Sequence, residues 1–397
     1  LCGAAQTMVQ LVLFRGVQGL GAGGLMTLAQ TTIADLIPAR ERGRYQGLFG
    51  AVFAACSVAG PLLGGLLTDA FSWRWIFYVN VPVGVAALLL ISTGLKRQNT
   101  TVERKIDYLG AFLLTLFTTS LLLVLSWGGT VYPWSSPLVI GMSVTAAVVF
   151  ALLFPCERRA AEPILPPRLF ASRVFLTASG VIALNSVALF GALTYLPLFF
   201  QLVLQEGASE SGLMMAPLMG GVICSSVLGG RQVSRTGRYK AMTLYGLTAA
   251  SGSLLFLSYA SHYGSSPIPI EFSLIILGLG LGLVMPNLTV AIQNAVAVTD
   301  LGVATSASAY CRSLGGGIGV ALSGAILTAG LEGGAAAEAG QGLSQIASLP
   351  PAVRAQVMQV YRHSISSTFT VAAAMTLVAV LVLATMPELQ LCSREKA

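Results

Sequence analysis

Residues 45–67 run for twenty-three positions without a charged side chain, and that run settles most of what the chain can become. About 20 helical residues cross the ~30 Å of hydrocarbon in a bilayer, so the run is long enough to span it. Ten further apolar runs repeat the pattern, at roughly 7–31, 74–95, 107–128, 137–155, 174–201, 211–229, 241–260, 272–296, 303–330 and 365–386. The hydrocarbon offers no water to bond free backbone groups, so each run must close its own hydrogen bonds as a helix. The expected fold is an all-α polytopic transmembrane helix bundle of about eleven spans. Composition agrees. Charged residues are 9% of the chain, against ~25% in soluble domains, and mean hydropathy is +0.80.

A net charge of +7 invites a nucleic-acid reading, but the basic residues sit in short clusters between the spans. With residue 31 at a cytoplasmic end, seventeen of the 22 lysines and arginines fall in cytoplasmic connectors. They lie in Arg40–Arg44, Lys96–Lys105, Arg158–Arg173 and Arg231–Lys240, with Arg394 and Lys396 beyond. Only Arg74, Arg354 and Arg362 fall in outer connectors. Cytoplasmic loops carry the excess of Lys and Arg, so seventeen against three fixes the orientation. Trp73, Trp75, Trp127 and Trp134 all lie at outer span ends, where indole rings settle at the interface. The partner this pattern predicts is a lipid bilayer and not nucleic acid. The expected place is the plasma membrane (for a bacterium, the inner one).

Several chemistries are excluded by what the sequence lacks. The six cysteines include no C-x-x-C pair and three lie inside spans, which points to isolated buried thiols and not to a disulfide framework. The two histidines, His262 and His363, fall in polar connectors. There is no H-E-x-x-H and no G-x-x-x-x-G-K-[ST], so neither a zinc hydrolase nor an ATP-driven pump is encoded. No enzyme activity, metal or cofactor is expected, and any transport must draw on a gradient such as that of protons.

Near the outer end of the 45–67 run stand Gly60, Pro61, Gly64 and Gly65. Glycines four apart clear one helix face for a close neighbour, while Pro61 removes a donor and bends the helix. Ser72-Trp73-Arg74-Trp75-Ile76-Phe77 and Asn80-Val81-Pro82-Val83-Gly84 follow. Together these stretches resemble the fourteen-helix drug:proton antiporters of the major facilitator superfamily, the EmrB/QacA type. The resemblance implies that the Gly-Pro-x-x-Gly-Gly helix carries the antiporter motif, a seal between two halves of the pathway. Cys56 stands where the family has another glycine, a change from one small residue to another. Eleven spans set against fourteen imply that the first three helices are missing. The chain would then hold the remainder of an N-terminal half (1–95) and two extra linking helices (96–155). A six-span C-terminal half (156–386) and a cytoplasmic tail (387–397) would follow.

Arg15 and Arg312 are the charged side chains lying well inside spans. A charge at mid-bilayer costs ~2.5–3.5 kcal/mol on insertion scales, so such residues face a bundle interior or a wet cavity. Gln18 follows Arg15 by three positions, on the same helix face. LVLFRGVQGLGAGG resembles the family's fourth-helix motif, which implies a part for Arg15 in proton coupling; the plainer alternative is an arginine that snorkels. Arg312 precedes Gly315, Gly316, Gly317 and Gly319, a run suited to close helix contact. The stretch from Gly230 to Lys240, with Arg235, Gly237 and Arg238, resembles the superfamily's loop motif. Ser234 replaces its acidic member, which implies a weaker latch. Asn185, Tyr195, Gln201, Asn287 and Gln293 are uncharged polar residues inside spans. They are candidates for a substrate cavity, helix–helix hydrogen bonding being the commoner use of buried amides.

The function these features imply is proton-coupled export of small hydrophobic or cationic molecules by alternating access between two halves. The alternatives are a narrow-substrate transporter or importer of the same superfamily, and an inactive or non-transporting membrane protein. No Asp or Glu is expected inside any span, so the resemblance places the proton-carrying carboxylate outside this chain. Oligomeric state is not constrained by the sequence.

Overall fold

The computed structural model describes residues 1–94, 106–263, 267–331 and 350–391. Among them the chain is helical, with no strand beyond one isolated bridge between Gly128 and Tyr132. The helices are α1 (Met8–Leu36), α2 (Ala39–Ala70), α3 (Trp75–Tyr78), α4 (Asn80–Gly94), α5 (Tyr108–Trp127), α6 (Pro137–Arg159) and α7 (Pro167–Ala171). Then come α8 (Arg173–Leu202), α9 (Ala208–Leu213), α10 (Ala216–Thr236), α11 (Lys240–Tyr263), α12 (Pro267–Asn294), α13 (Leu301–Leu331) and α14 (Pro351–Ala384). Ten helical segments among the described residues are long and apolar enough to cross a membrane. The 32-residue α2 holds the uncharged run 45–67 besides. The bundle is thus the expected one.

Side chains at the helix ends explain where the helices start and stop. Thr7, Asp107, Ser136 and Ser172 each accept a hydrogen bond from a backbone N–H two or three residues on, satisfying donors that a first helical turn leaves free. Gly237 ends α10 at φ +69°, a left-handed conformation that glycine adopts without a Cβ penalty.

Helices α8 and α10–α14 pack into one body. Its core has two apolar clusters, one around Phe175, Ile182, Val284 and Leu288, the other around Leu196, Phe199, Phe200, Leu254 and Phe369. Lipid tails are as apolar as leucine, so helices in a membrane are held by close approach and interhelical hydrogen bonds. Both are present. Ser253 on α11 donates to the Ser273 carbonyl on α12 at 2.6 Å, and Ser273 returns a bond to the Ser253 carbonyl at 3.1 Å. Ser258 and Ser366 make the same reciprocal pair between α11 and α14, at 3.0 and 2.8 Å. A Cβ on Gly315 would stand 2.5 Å from the Ala183 carbonyl oxygen, and one on Gly316 2.9 Å from the Phe190 ring. The glycine run after Arg312 therefore serves contact between α13 and α8.

The paired helices α5 and α6 lean on α13, where Thr118 and Tyr310 share a hydrogen bond of 2.8 Å. Helices α1 and α2 reach the body through α13 and through α10 and α12 respectively. Leu88, Leu89 and Leu90 on α4 are exposed, as lipid-facing side chains are.

The structure corrects two expectations. His262 and His363 lie within α11 and α14, not in connectors, and their rings meet at 5.4 Å. Residues 353–363 form the first turns of α14, because no helix-breaking residue divides them from the apolar run. Phe199 and Phe200 are buried in the second apolar cluster, with Met214, Met215 and Met219 packed against it. Finally, polar end turns extend several helices past their apolar runs, so Asp35, Glu157, Glu210 and Glu271 lie within span helices. The Lys96–Lys105 cluster, most of the 331–364 connector, Cys392 and the charges beyond it lie outside the described residues.

Candidate transport site

Helix α2 meets α10 backbone to backbone along its cytoplasmic part. A Cβ on Gly43 would lie 2.9 Å from the Gly230 carbonyl oxygen, and one on Gly50 3.0 Å from the Ser226 hydroxyl. A Cβ on Gly47 would collide with the Ser226 carbonyl oxygen. These glycines sit four and three residues apart, on one face, and let the two backbones touch. Polar bonds close the same end. Arg40 donates through Nε to the Ser234 carbonyl at 3.3 Å and through Nη2 to the Arg235 carbonyl at 3.1 Å. These are terminal carbonyls of α10, where the helix dipole favours a cation. The Arg44 N–H donates to the Ser234 hydroxyl at 3.1 Å.

The loop motif thus joins α2 through Ser234 and bare carbonyls, the serine standing where the resemblance has an acidic member. Of its other members, Lys240 donates from Nζ to the Ala384 carbonyl at 2.9 Å, tying α11 to α14, and Arg235 and Arg238 are exposed. Sequence reasoning missed Arg40, Gly43 and Gly47. The signal was available as a small-xxx-small pair just inside a basic cluster, but it carried no recognised motif.

At the outer end of α2 the picture reverses. A Cβ on Gly60, Gly64 or Gly65 would meet nothing within 4 Å, and the helix continues unbroken past Pro61 to Ala70. The face expected to pack closely is open. Among the described residues α2 is thus closed on α10 at its cytoplasmic end and bare along its Gly60–Gly65 face, an outward-opening arrangement of these two faces.

Arg15 on α1 is exposed, and Nη1 donates to Gln18 Oε1 at 3.0 Å. The expected pair forms, and Cys2 Sγ donates to the same Gln18 Oε1 at 3.6 Å. Arg312 is half-buried and reaches α1 by donating to Met26 Sδ at 3.5 Å. The candidate cavity residues divide. Gln201 donates to Ser211 at 3.1 Å, and Gln293 to the Gln30 carbonyl at 3.4 Å and to Thr305 at 3.3 Å, so both join helices. Tyr195 is half-buried with its hydroxyl near Gly324. Asn185 and Asn287 are 1% exposed, and neither atom of either amide has a partner. An unpaired buried amide costs roughly 1–3 kcal/mol, which marks these two as polar groups awaiting a partner.

This bundle of long apolar helices is the architecture of a multi-pass membrane protein. Residues 1–320 match the Major Facilitator Superfamily, and the chain belongs to that family. It is 37% identical over 387 residues to an uncharacterized MFS-type transporter of Mycobacterium tuberculosis, covering 95% of this chain and 56% of that protein. It is 39% identical over 329 residues to the multidrug transporter protein MdtP of Bacillus subtilis, covering 83% of this chain and 60% of that protein. An efflux pump, FUS6, of Gibberella moniliformis is 30% identical over 405 residues, covering 95% of this chain and 71% of that one. The chain therefore spans little more than half the length of the first two relatives. Among solved structures, the proton:xylose symporter XylE superposes with a TM-score of 0.61 at 14% identity, over 95% of this chain and 71% of that one. That likeness concerns the fold alone.

Proposed function

We propose that this protein is a secondary active transporter of the plasma membrane that exports small lipophilic or cationic molecules in exchange for protons. The observation that carries the reading is the asymmetry of α2. Its inner end is locked to α10 by glycine contact and by Arg40, and its outer Gly60–Gly65 face stands free. Alternating access needs such a pair of surfaces, one closed while the other is open, so that rocking exchanges them. Relatives named as a multidrug transporter and an efflux pump support export of small molecules. The resemblance to fourteen-helix drug:proton antiporters supports the proton as counter-ion, with Arg15 and Gln18 as the coupling pair and the Gly60–Gly65 face as the outer seal.

The test is efflux of a fluorescent lipophilic cation from pump-deficient cells expressing the protein, with and without a protonophore. Protonophore-sensitive efflux is the expected result. Protein shown to be in the membrane but giving no efflux of any lipophilic cation would overturn the multidrug reading and favour a narrow-substrate transporter.

A further inference from the structure

The paired helices α5 and α6 carry polar groups that packing alone does not account for. Asp107 caps α5 by accepting the Gly110 N–H on Oδ1 at 2.8 Å, and its Oδ2 is buried without a partner. Glu157, in the last turn of α6, is 3% exposed. Its Oε2 accepts the Leu165 N–H at 2.9 Å, and its Oε1 is also buried without a partner. The two free oxygens converge: both lie within 3.0 Å of the position that a Cβ on Gly110 would take. Gly110 leaves the space between the carboxyl groups empty of protein.

Two ionised carboxylates cannot face each other this way away from water, because like charges at such range disfavour a second ionisation. Among the described residues no neighbouring cation offsets them; Arg104 and Lys105, which precede Asp107, lie outside those residues. Arg158 lies over the Phe154 ring at 4.3 Å, and Arg168 on α7 pairs with Asp300 at 2.7 Å. Arg159 is exposed. Cys156 stands beside Glu157 on α6, and Glu162 lies in the following connector. We propose that Asp107 and Glu157 bind one proton between them, Glu157 carrying it on Oε1 and donating it to Oδ2 of Asp107. This is a proton-binding site at the cytoplasmic end of the linking helices, distinct from Arg15. It does not depend on the substrate reading above. It reaches the transport body through the Leu165 bond, since the neighbouring Ile164 lines a cytoplasmic cleft of about 440 Å³ with Thr31 and Asp35 of α1 and with Gly302 of α13.

A hydrophobic carbodiimide, which adds to protonated carboxyls, tests the site in the purified protein, with mass spectrometry to locate the adduct. Glu157 is expected to be labelled near neutral pH, with labelling falling about tenfold per pH unit once the shared proton leaves. Asp107→Asn removes the like charge, lets Glu157 ionise freely and is expected to lower its labelling at the same pH. Glu157→Gln keeps a carbonyl for the Leu165 N–H and an amide for Asp107. It is expected to fold with an unchanged melting temperature at neutral pH and to show no adduct there. Absence of labelling at Glu157 across the range in which the protein stays folded would overturn the proposal, as would labelling indifferent to Asp107→Asn. Labelling abolished by Na⁺ at constant pH would also overturn it, by showing a metal cation between the oxygens.

Discussion

Replacing Gly47 by alanine strikes the contact between α2 and α10 with the smallest side chain available. Its Cβ would collide with the Ser226 carbonyl oxygen and stand 3.0 Å from the carbonyl carbon and 3.4 Å from Val227 Cα. All three are backbone atoms, which cannot rotate out of the way, so the helices must separate. Overpacking of this kind costs about 1–3 kcal/mol. A conformation that lacks the contact is spared that cost, so the equilibrium moves toward it by about 5–150-fold. Gly64 is the control. A Cβ there meets nothing within 4 Å in this arrangement, so Gly64→Ala leaves the outward-opening state untouched. It impairs only a state in which the outer surfaces close.

Labelling with a membrane-impermeant maleimide reads both ends. A reporter Gly60→Cys is placed at the outer end of α2 in a background without the exposed Cys56 and Cys224. With Gly47→Ala the reporter is expected to react more slowly, in proportion to the lost outward-opening population. With Gly64→Ala its rate is expected to stay level or rise, while efflux falls. Unchanged labelling in a folded Gly47→Ala protein would refute the reasoning, because a backbone collision would then carry no conformational consequence.

Arg15→Ala is expected to abolish protonophore-sensitive efflux while leaving membrane insertion intact; normal efflux from well-inserted protein would remove Arg15 from coupling. Arg40→Ala frees the Ser234 and Arg235 carbonyls at the end of α10. It should shift reporter labelling in the same direction as Gly47→Ala but less, by about 0.3–1 kcal/mol for an exposed cation at a helix terminus. Ser258→Ala leaves Ser366 and Thr370 without a shared partner. It should lower stability by about 0.6–1.7 kcal/mol, the range of polar contacts between membrane helices, read as a lower melting temperature in detergent.

The bundle was legible because its signal is one-dimensional. An uncharged run of span length has one structural outcome in a membrane, and the positive charges between runs give its direction. Pairing was less legible. Nothing in the sequence tells that Ser253 faces Ser273 or that Gly43 faces Gly230, since both contacts depend on helix rotation and on residues many positions away. The end turns were misread for a related reason. Glu157 looks like part of a charged connector when read beside Arg158 and Arg159, yet the α6 helix continues through it and turns it inward. Recognised motifs located Arg15 and Gly60–Gly65 correctly on their helices. They did not reveal that the working contact of α2 lies at its other end.

The glycines of this protein sort into two kinds, and the sorting bears on mechanism. Gly221, Gly246, Gly278, Gly280, Gly315 and Gly319 each stand against a neighbouring backbone, so each is explained where it is. Gly16, Gly19, Gly21 and Gly23 on α1, like Gly60, Gly64 and Gly65 on α2, meet nothing within 4 Å. Glycine inside a helix costs about 0.8–1.0 kcal/mol relative to alanine in water. A side chain at any of the seven would meet no obstacle in this arrangement. Their lack of side chains is therefore useful to an arrangement that brings a neighbour, from this chain or from outside the described residues, against α1 and the outer part of α2. Alanine at those positions should then shift the balance toward the outward-opening state by disfavouring the closed one, whereas alanine at Gly47 should do the opposite. That opposition of sign follows from one motion, a rocking of α2 that closes its outer face as its cytoplasmic contact opens. Seven folded variants that transport at the parent's rate would mean that no neighbour ever arrives.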